Sequence, residues 1–289
     1  MSSYTAPVDK LLTYGEPEVI EAKDWPDYLA NGIGIEHIPD ILHMLVDPEL
    51  RTTNSDEEDP KYWTPIHAWR ALGQLHDASV IAPILDQTED LINGEPGFGE
   101  WALEELPEVF EMIGPASIST SASYLADLAQ TEDVHTTAIS GLTRIANKYP
   151  ETREEIIRIL SKQLEQFEEN NETINAYLIE SLGQLKAVET LPLIKEAFEA
   201  DKVDDFFISL EDVEIMFGLK ERSPAPSEGA FARLLRESSQ ALPPAPASQA
   251  ETRVRSGNTL APGKRKSTKM TKKKMAKISR KKNHAKKKK

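Results

Sequence analysis

Ala68-Trp69-Arg70-Ala71-Leu72-Gly73-Gln74-Leu75 and Leu178-Ile179-Glu180-Ser181-Leu182-Gly183-Gln184-Leu185 decide the fold. Both stretches carry apolar residues at helical spacing, and both end in Leu-Gly-Gln-Leu. A short turn and a second apolar-periodic stretch follow each, with a proline near its start: Pro83 after the first, Pro192 after the second. Each therefore reads as an amphipathic helix, a turn and a partner helix. Gly73 and Gly183 lie 110 positions apart. Three periods of about 37 residues fill that gap, a spacing typical of stacked helical repeats.

The sequence between them supports the repeat. From Glu100 to Gly114, Leu103, Leu106, Val109, Phe110 and Ile113 form one stripe. Pro115 then opens a second helix with Ile118, Tyr124, Leu125 and Leu128. Ala138, Ile139, Leu142, Ile145 and Ala146 mark the next helix, and Pro150 starts its partner with Ile156, Ile159, Leu160 and Leu164. A first-turn proline costs nothing, because that N–H has no helical partner. Gly73, Gly114 and Gly183 suit left-handed helix C-caps. Alternating β-branched runs are missing, so the expected class is all-α. We expect an α-solenoid of helix pairs near 64–92, 99–131, 133–169 and 171–201, with Leu72, Leu142, Leu182 and Ile194 buried. One pair cannot bury its apolar stripe alone; stacking makes the core continuous.

Four regions are expected. Residues 1–63 form an N-terminal helical cap, whose clearest helix is Ile38 to Val46 with Ile38, Ile41, Leu42 and Leu45 inward. Residues 64–222 form the repeats and a terminal cap helix at Leu210–Gly218. Residues 223–263 are a Pro/Ala/Ser-rich linker, in which Phe231, Leu234, Leu235 and Leu242 suit a short amphipathic helix. Residues 264–289 are a disordered polybasic tail.

This pattern resembles HEAT repeats, in particular the HEAT-like repeats first named for phycobilisome lyases. The Leu-Gly-Gln-Leu segments and their following helices carry the resemblance over residues 64–201. With Asp24-Trp25-Pro26-Asp27-Tyr28, Glu36-His37-Ile38-Pro39, Glu105-Leu106-Pro107-Glu108-Val109-Phe110 and Met112-Ile113-Gly114-Pro115, the chain also looks like an uncharacterised bacterial family with such repeats. The resemblance implies a Cys-rich zinc motif at the C-terminus of many members. This chain has no cysteine, so that motif does not carry over.

Charge is divided sharply along the chain. Lys264 to Lys289 holds 15 Lys or Arg and no Asp or Glu, whereas residues 1–222 hold 45 Asp or Glu against 15 Lys or Arg. The net charge of −14 conceals that separation. The tail has few apolar side chains and its charges repel, so it builds no core. Lys264, Arg265, Lys266, Lys272, Lys273, Lys274, Arg280, Lys281, Lys282, Lys286, Lys287, Lys288 and Lys289 are the candidate polyanion contacts. Three readings stay open: RNA or DNA, which need charge but no fold; an anionic membrane, although an apolar wedge is lacking; and self-neutralisation against the acidic residues. Without cysteine there is no disulfide and no thiolate chemistry. The first residues lack a signal-peptide pattern and no apolar run is long enough to span a membrane, so a cytoplasmic protein is expected.

No catalytic constellation stands out, and no cofactor or metal is expected. The six histidines form no His-Glu-x-x-His. Asp40, His43 and Asp47 share a helix face, which suits a metal or, more simply, an exposed polar face. Glu104, Glu105, Glu108 and Glu111 read as a solvated face rather than an acid–base pair. Residues 54–59 lack an EF-hand's glycine and distal Glu, and Gly94, Gly97 and Gly99 lack a phosphate loop's Gly-Lys. Trp69 is expected in the core. Trp63, Arg70 and Trp101 are candidates for binding a protein partner, with packing between repeats as the alternative. The leading reading is a non-enzymatic interaction protein: an acidic solenoid that binds a protein, with an arm tethered to a polyanion. The alternatives are a bilin-lyase-like enzyme or accessory factor, implied only by the resemblance, and an RNA- or ribosome-associated factor.

Overall fold

Eleven α-helices are present among the residues described by the computed structural model, which are 4–18, 21–51, 59–94 and 98–221. They are α1 Ile38–Val46, α2 Pro48–Arg51, α3 Thr64–Gln74, α4 Ile81–Asn93, α5 Gly99–Ile113, α6 Ile118–Ala126, α7 Glu132–Lys148, α8 Arg153–Leu164, α9 Glu172–Gln184, α10 Leu191–Glu199 and α11 Leu210–Met216. No strand occurs among the described residues, and the protein is all-α. The linker, the polybasic tail, residues 54–58 and Gly97 lie outside them.

The four expected pairs are α3/α4, α5/α6, α7/α8 and α9/α10. Each second helix opens through a 3₁₀ turn: Ala78–Val80, Gly114–Ser117, Pro150–Thr152 and Val188–Thr190. The first helices stack in order, α3 on α5, α5 on α7 and α7 on α9, with α1 against α3 and α11 against α9. Behind them α4 meets α6 and α6 meets α8. The core runs between these two layers. Leu72, Leu142, Leu182 and Ile194 are all completely buried in it.

Gly73 and Gly183 lie inside their helices rather than at left-handed caps; Gly114 does cap α5, but with φ +80° and ψ −149° it is not in the left-handed helical conformation. The two Leu-Gly-Gln-Leu glycines serve close packing instead. A Cβ on Gly73 would lie 3.2 Å from Met112 Sδ, and one on Gly183 would lie 2.8 Å from Met216 Cε. His76 and Lys186, three positions further on in each case, take positive φ instead. His76 Nδ1–H donates to the Met112 carbonyl at 2.6 Å, and the Lys186 ammonium donates to the Met216 carbonyl. The same device thus fastens α3 to the end of α5 and α9 to the end of α11.

The N-terminal cap is less helical than expected. Among the described residues up to His37 there are four 3₁₀ turns, Val8–Thr13, Ala22–Asp24, Leu29–Asn31 and Ile35–His37, and the first α-helix begins at Ile38. Pro17 and Pro26 withdraw amide donors. Gly15 and Gly32 take positive φ, which breaks any helical run. This segment forms an irregular strap over α3, whose residues Thr64–Gly73 are all buried.

Candidate functional site

Three polar residues of α3, His67, Arg70 and Gln74, hold the strap. Their i, i+3, i+7 spacing puts them on one helix face. His67 Nε2 lies 2.8 Å from the Gly15 carbonyl, and its Nδ1 lies 2.7 Å from the Tyr28 hydroxyl. A carbonyl only accepts, so Nε2 carries the proton. Burial drives the His67 pKa down to about 4; the Gly15 carbonyl opposes this and Arg70 adds to it. The ring is therefore neutral near pH 7, and Nδ1 accepts from Tyr28. Burial also pushes the Tyr28 phenol up. Gln74 donates to the Pro26 carbonyl at 2.8 Å and accepts from the Tyr28 amide at 3.0 Å.

Arg70 lies at the centre of this region and is only 1% exposed. Its Nε and Nη2 donate to Glu105 Oε2 and Oε1 at 2.8 and 2.6 Å, and Nη2 reaches the Glu18 carbonyl at 3.1 Å. Trp69 Nε1 donates to Glu105 Oε2 at 2.8 Å. The guanidinium also lies 4.9 Å from the Trp25 ring and 5.7 Å from the Trp101 ring, within cation–π range. Burial disfavours the Arg70 charge, but the hydrogen bonds and charge of Glu105 outweigh it and raise the pKa. Trp63 is buried and packs edge-on against Trp101 and Tyr62. Trp101 is half-buried. The three residues named as partner contacts thus come together, two of them in the interior.

The carboxylates of α5 depart from the solvated face that the sequence suggests. Glu104 is exposed, but Glu105 is buried with Arg70. Glu108 and Glu111 are half-buried and pair with Arg144 at 2.7 and 2.9 Å, and Lys148 lies 3.5 Å from Glu111. Burial raises the Glu108 pKa, Arg144 lowers it, and Glu105 and Glu111 add to the rise. Arg70, Glu105, Glu108 and Arg144 tie neighbouring helix pairs together. A carboxylate engaged by three N–H donors, as Glu105 is, suits structure rather than proton transfer.

His43 and Asp47 meet at the Tyr4 hydroxyl, 3.9 Å from each other, and with Asp40 they form no three-ligand metal group. Asp47 is buried, and accepts from the Tyr4 hydroxyl at 2.6 Å and from the Glu49 amide at 2.8 Å. His43 is exposed, with Nδ1 2.8 Å from the same hydroxyl. Among the described residues no group of three or more His, Cys, Asp or Glu is placed to hold a metal. Two surface grooves do exist. One, of ≈ 630 Å³, runs along α8 and has Arg153, Arg158 and Lys162 among its walls, balanced by Glu154, Glu165 and Glu189. The other, of ≈ 340 Å³, lies between the Pro39–Val46 face of α1 and the Pro83–Gln87 face of α4. The sequence signal for this second groove is an i, i+3, i+4 pattern on both helices; Leu42, expected inward, is half-buried and lines it.

Fold and site together define an all-α protein of stacked helix pairs, whose buried ionisable groups join helices. The chain belongs to the family described as "Protein of unknown function (DUF1186)", which it matches over residues 35–238. That description names no repeat type and no activity. No curated protein and no solved structure matches the chain. No helix among the described residues is long and apolar enough to cross a membrane.

Proposed function

We propose that this is a non-enzymatic interaction protein: a HEAT-like acidic solenoid that binds a protein partner, with the Lys-rich arm 264–289 tethering it to RNA or DNA in the cytoplasm. The division into cap, repeats, linker and arm belongs to the same reading. The observation that carries it is the charge separation, with 45 acidic against 15 basic residues in 1–222, and 15 basic and no acidic residues in 264–289. The stacked pairs supply a long surface for a protein, and the arm supplies what a phosphate backbone attracts. Trp63 and Arg70 serve this function as core, leaving Trp101 as the member of the set with exposed area. The test is a pull-down with the tagged full chain, with and without nuclease. A partner that persists after nuclease, plus nuclease-sensitive RNA or DNA, is the expected result. Recovery of neither would overturn the reading.

A further inference from the structure

We propose that the α1/α4 groove docks a basic amphipathic peptide of the partner protein. The proposal rests on the interaction reading above and specifies its site. Leu42, Val46 and Pro83 give the groove an apolar lining, and all three are only half-buried. Apolar area of this kind, set between two helices, is what an anchoring Leu or Phe of a bound helix fills.

Charge decides the kind of peptide. Asp86, on the groove wall, is exposed; one carboxylate oxygen accepts from Tyr124 at 2.6 Å, and among the described residues the other accepts no hydrogen bond. Asp40, beside Pro39 on α1, and Glu89, one turn beyond Asp86 on α4, are also exposed. Lysine and arginine are scarce in the part of the sequence that supplies both helices. Residues 1–131 hold 25 Asp or Glu and 5 Lys or Arg, and one of those five is the buried Arg70. A peptide with Lys or Arg flanking its apolar anchors meets Asp86 on the α4 wall and the exposed Asp40 and Glu89 beside the lining; an acidic peptide is repelled. The α8 groove lacks this bias, since its acidic and basic walls balance.

The test uses the full chain and two synthetic helical peptides of equal hydrophobicity, one with Lys and the other with Glu around the same Leu anchors, read by fluorescence polarisation. The Lys peptide should bind and the Glu peptide should not. The triple variant Asp40→Asn, Asp86→Asn, Glu89→Gln removes charge but keeps shape and the acceptor for Tyr124. It should weaken the Lys peptide about tenfold, as three partly exposed charge contacts would. The control Glu154→Gln, Glu165→Gln, Glu189→Gln on α8 removes the same charge elsewhere and should change affinity less than twofold. Equal losses in the two variants, or no binding of the Lys peptide, would overturn the groove. A partner still captured from lysate by the groove variant would leave the interaction reading standing and remove only this site.

Discussion

Arg70 and Glu105, 35 positions apart, meet through two parallel N–H···O bonds and so join the first helix pair to the second inside the body. Removing one partner strands the other in a site only 1% exposed on the arginine side. Glu105→Ala should therefore cost about 3–5 kcal/mol in urea unfolding. The double variant Arg70→Met, Glu105→Leu leaves no buried charge unpaired and should be clearly more stable than Glu105→Ala. A single variant close to wild type would mean that water reaches the pair.

Gly141 and Gly183 should respond differently to alanine. A Cβ at Gly141 would meet Phe110 Cδ2 at 2.5 Å and Phe110 Cβ at 3.1 Å. Phe110 is completely buried and its ring has no room to turn away. At Gly183 the clash is with the end of the half-buried Met216 side chain, which has rotamers to spare. Gly141→Ala should destabilise by about 1–3 kcal/mol. Gly183→Ala should stay within about 1 kcal/mol of wild type, since the helix gains propensity when glycine is replaced. Thermal unfolding of the two variants settles the order.

Acid should loosen the strap. The folded pKa of His67, about 4, lies below the ordinary 6.5, so the unfolded chain takes up the proton first as pH falls. The stability contributed by the neutral ring is complete above about pH 6.5, declines between 6.5 and 4, and is lost below that. The shift is equivalent to at most about 3 kcal/mol. His135, also lowered by burial, acts in the same direction. His67→Gln should flatten the pH profile between 4 and 6.5; an unchanged profile would place the titration elsewhere.

The helix pairs were legible because a 3.6-residue apolar period is a local signal, repeated four times with a proline-marked or polar turn. The strap was not, because its order is imposed from outside: the Gly15, Glu18 and Pro26 carbonyls are satisfied by His67, Arg70 and Gln74, about fifty residues downstream. Glu105 misled for a related reason. Its sequence neighbours are acidic, while the groups that bury it, Trp69 and Arg70, lie on another helix. Gly73 and Gly183 look like caps by position, but the neighbouring methionines decide their role.

The arm gives the sharpest test of the proposed tether. Its 26 residues carry 15 cationic side chains and no Phe, Tyr or Trp. Phosphate neutralisation therefore supplies the affinity, while base recognition would need fixed polar groups or stacking rings. Binding should be indifferent to sequence, and affinity should fall with salt at a log–log slope of about −4 if six phosphates of a single strand are engaged. Removing 264–289 should abolish retention on single-stranded DNA or RNA while leaving the thermal unfolding of the helical body unchanged. Changing Lys286, Lys287, Lys288 and Lys289 together to Gln should make the slope shallower, by about 3 where all four are among the engaged contacts. If the full chain and the truncated chain elute together from a nucleic-acid column at low salt, the tether is not a nucleic acid.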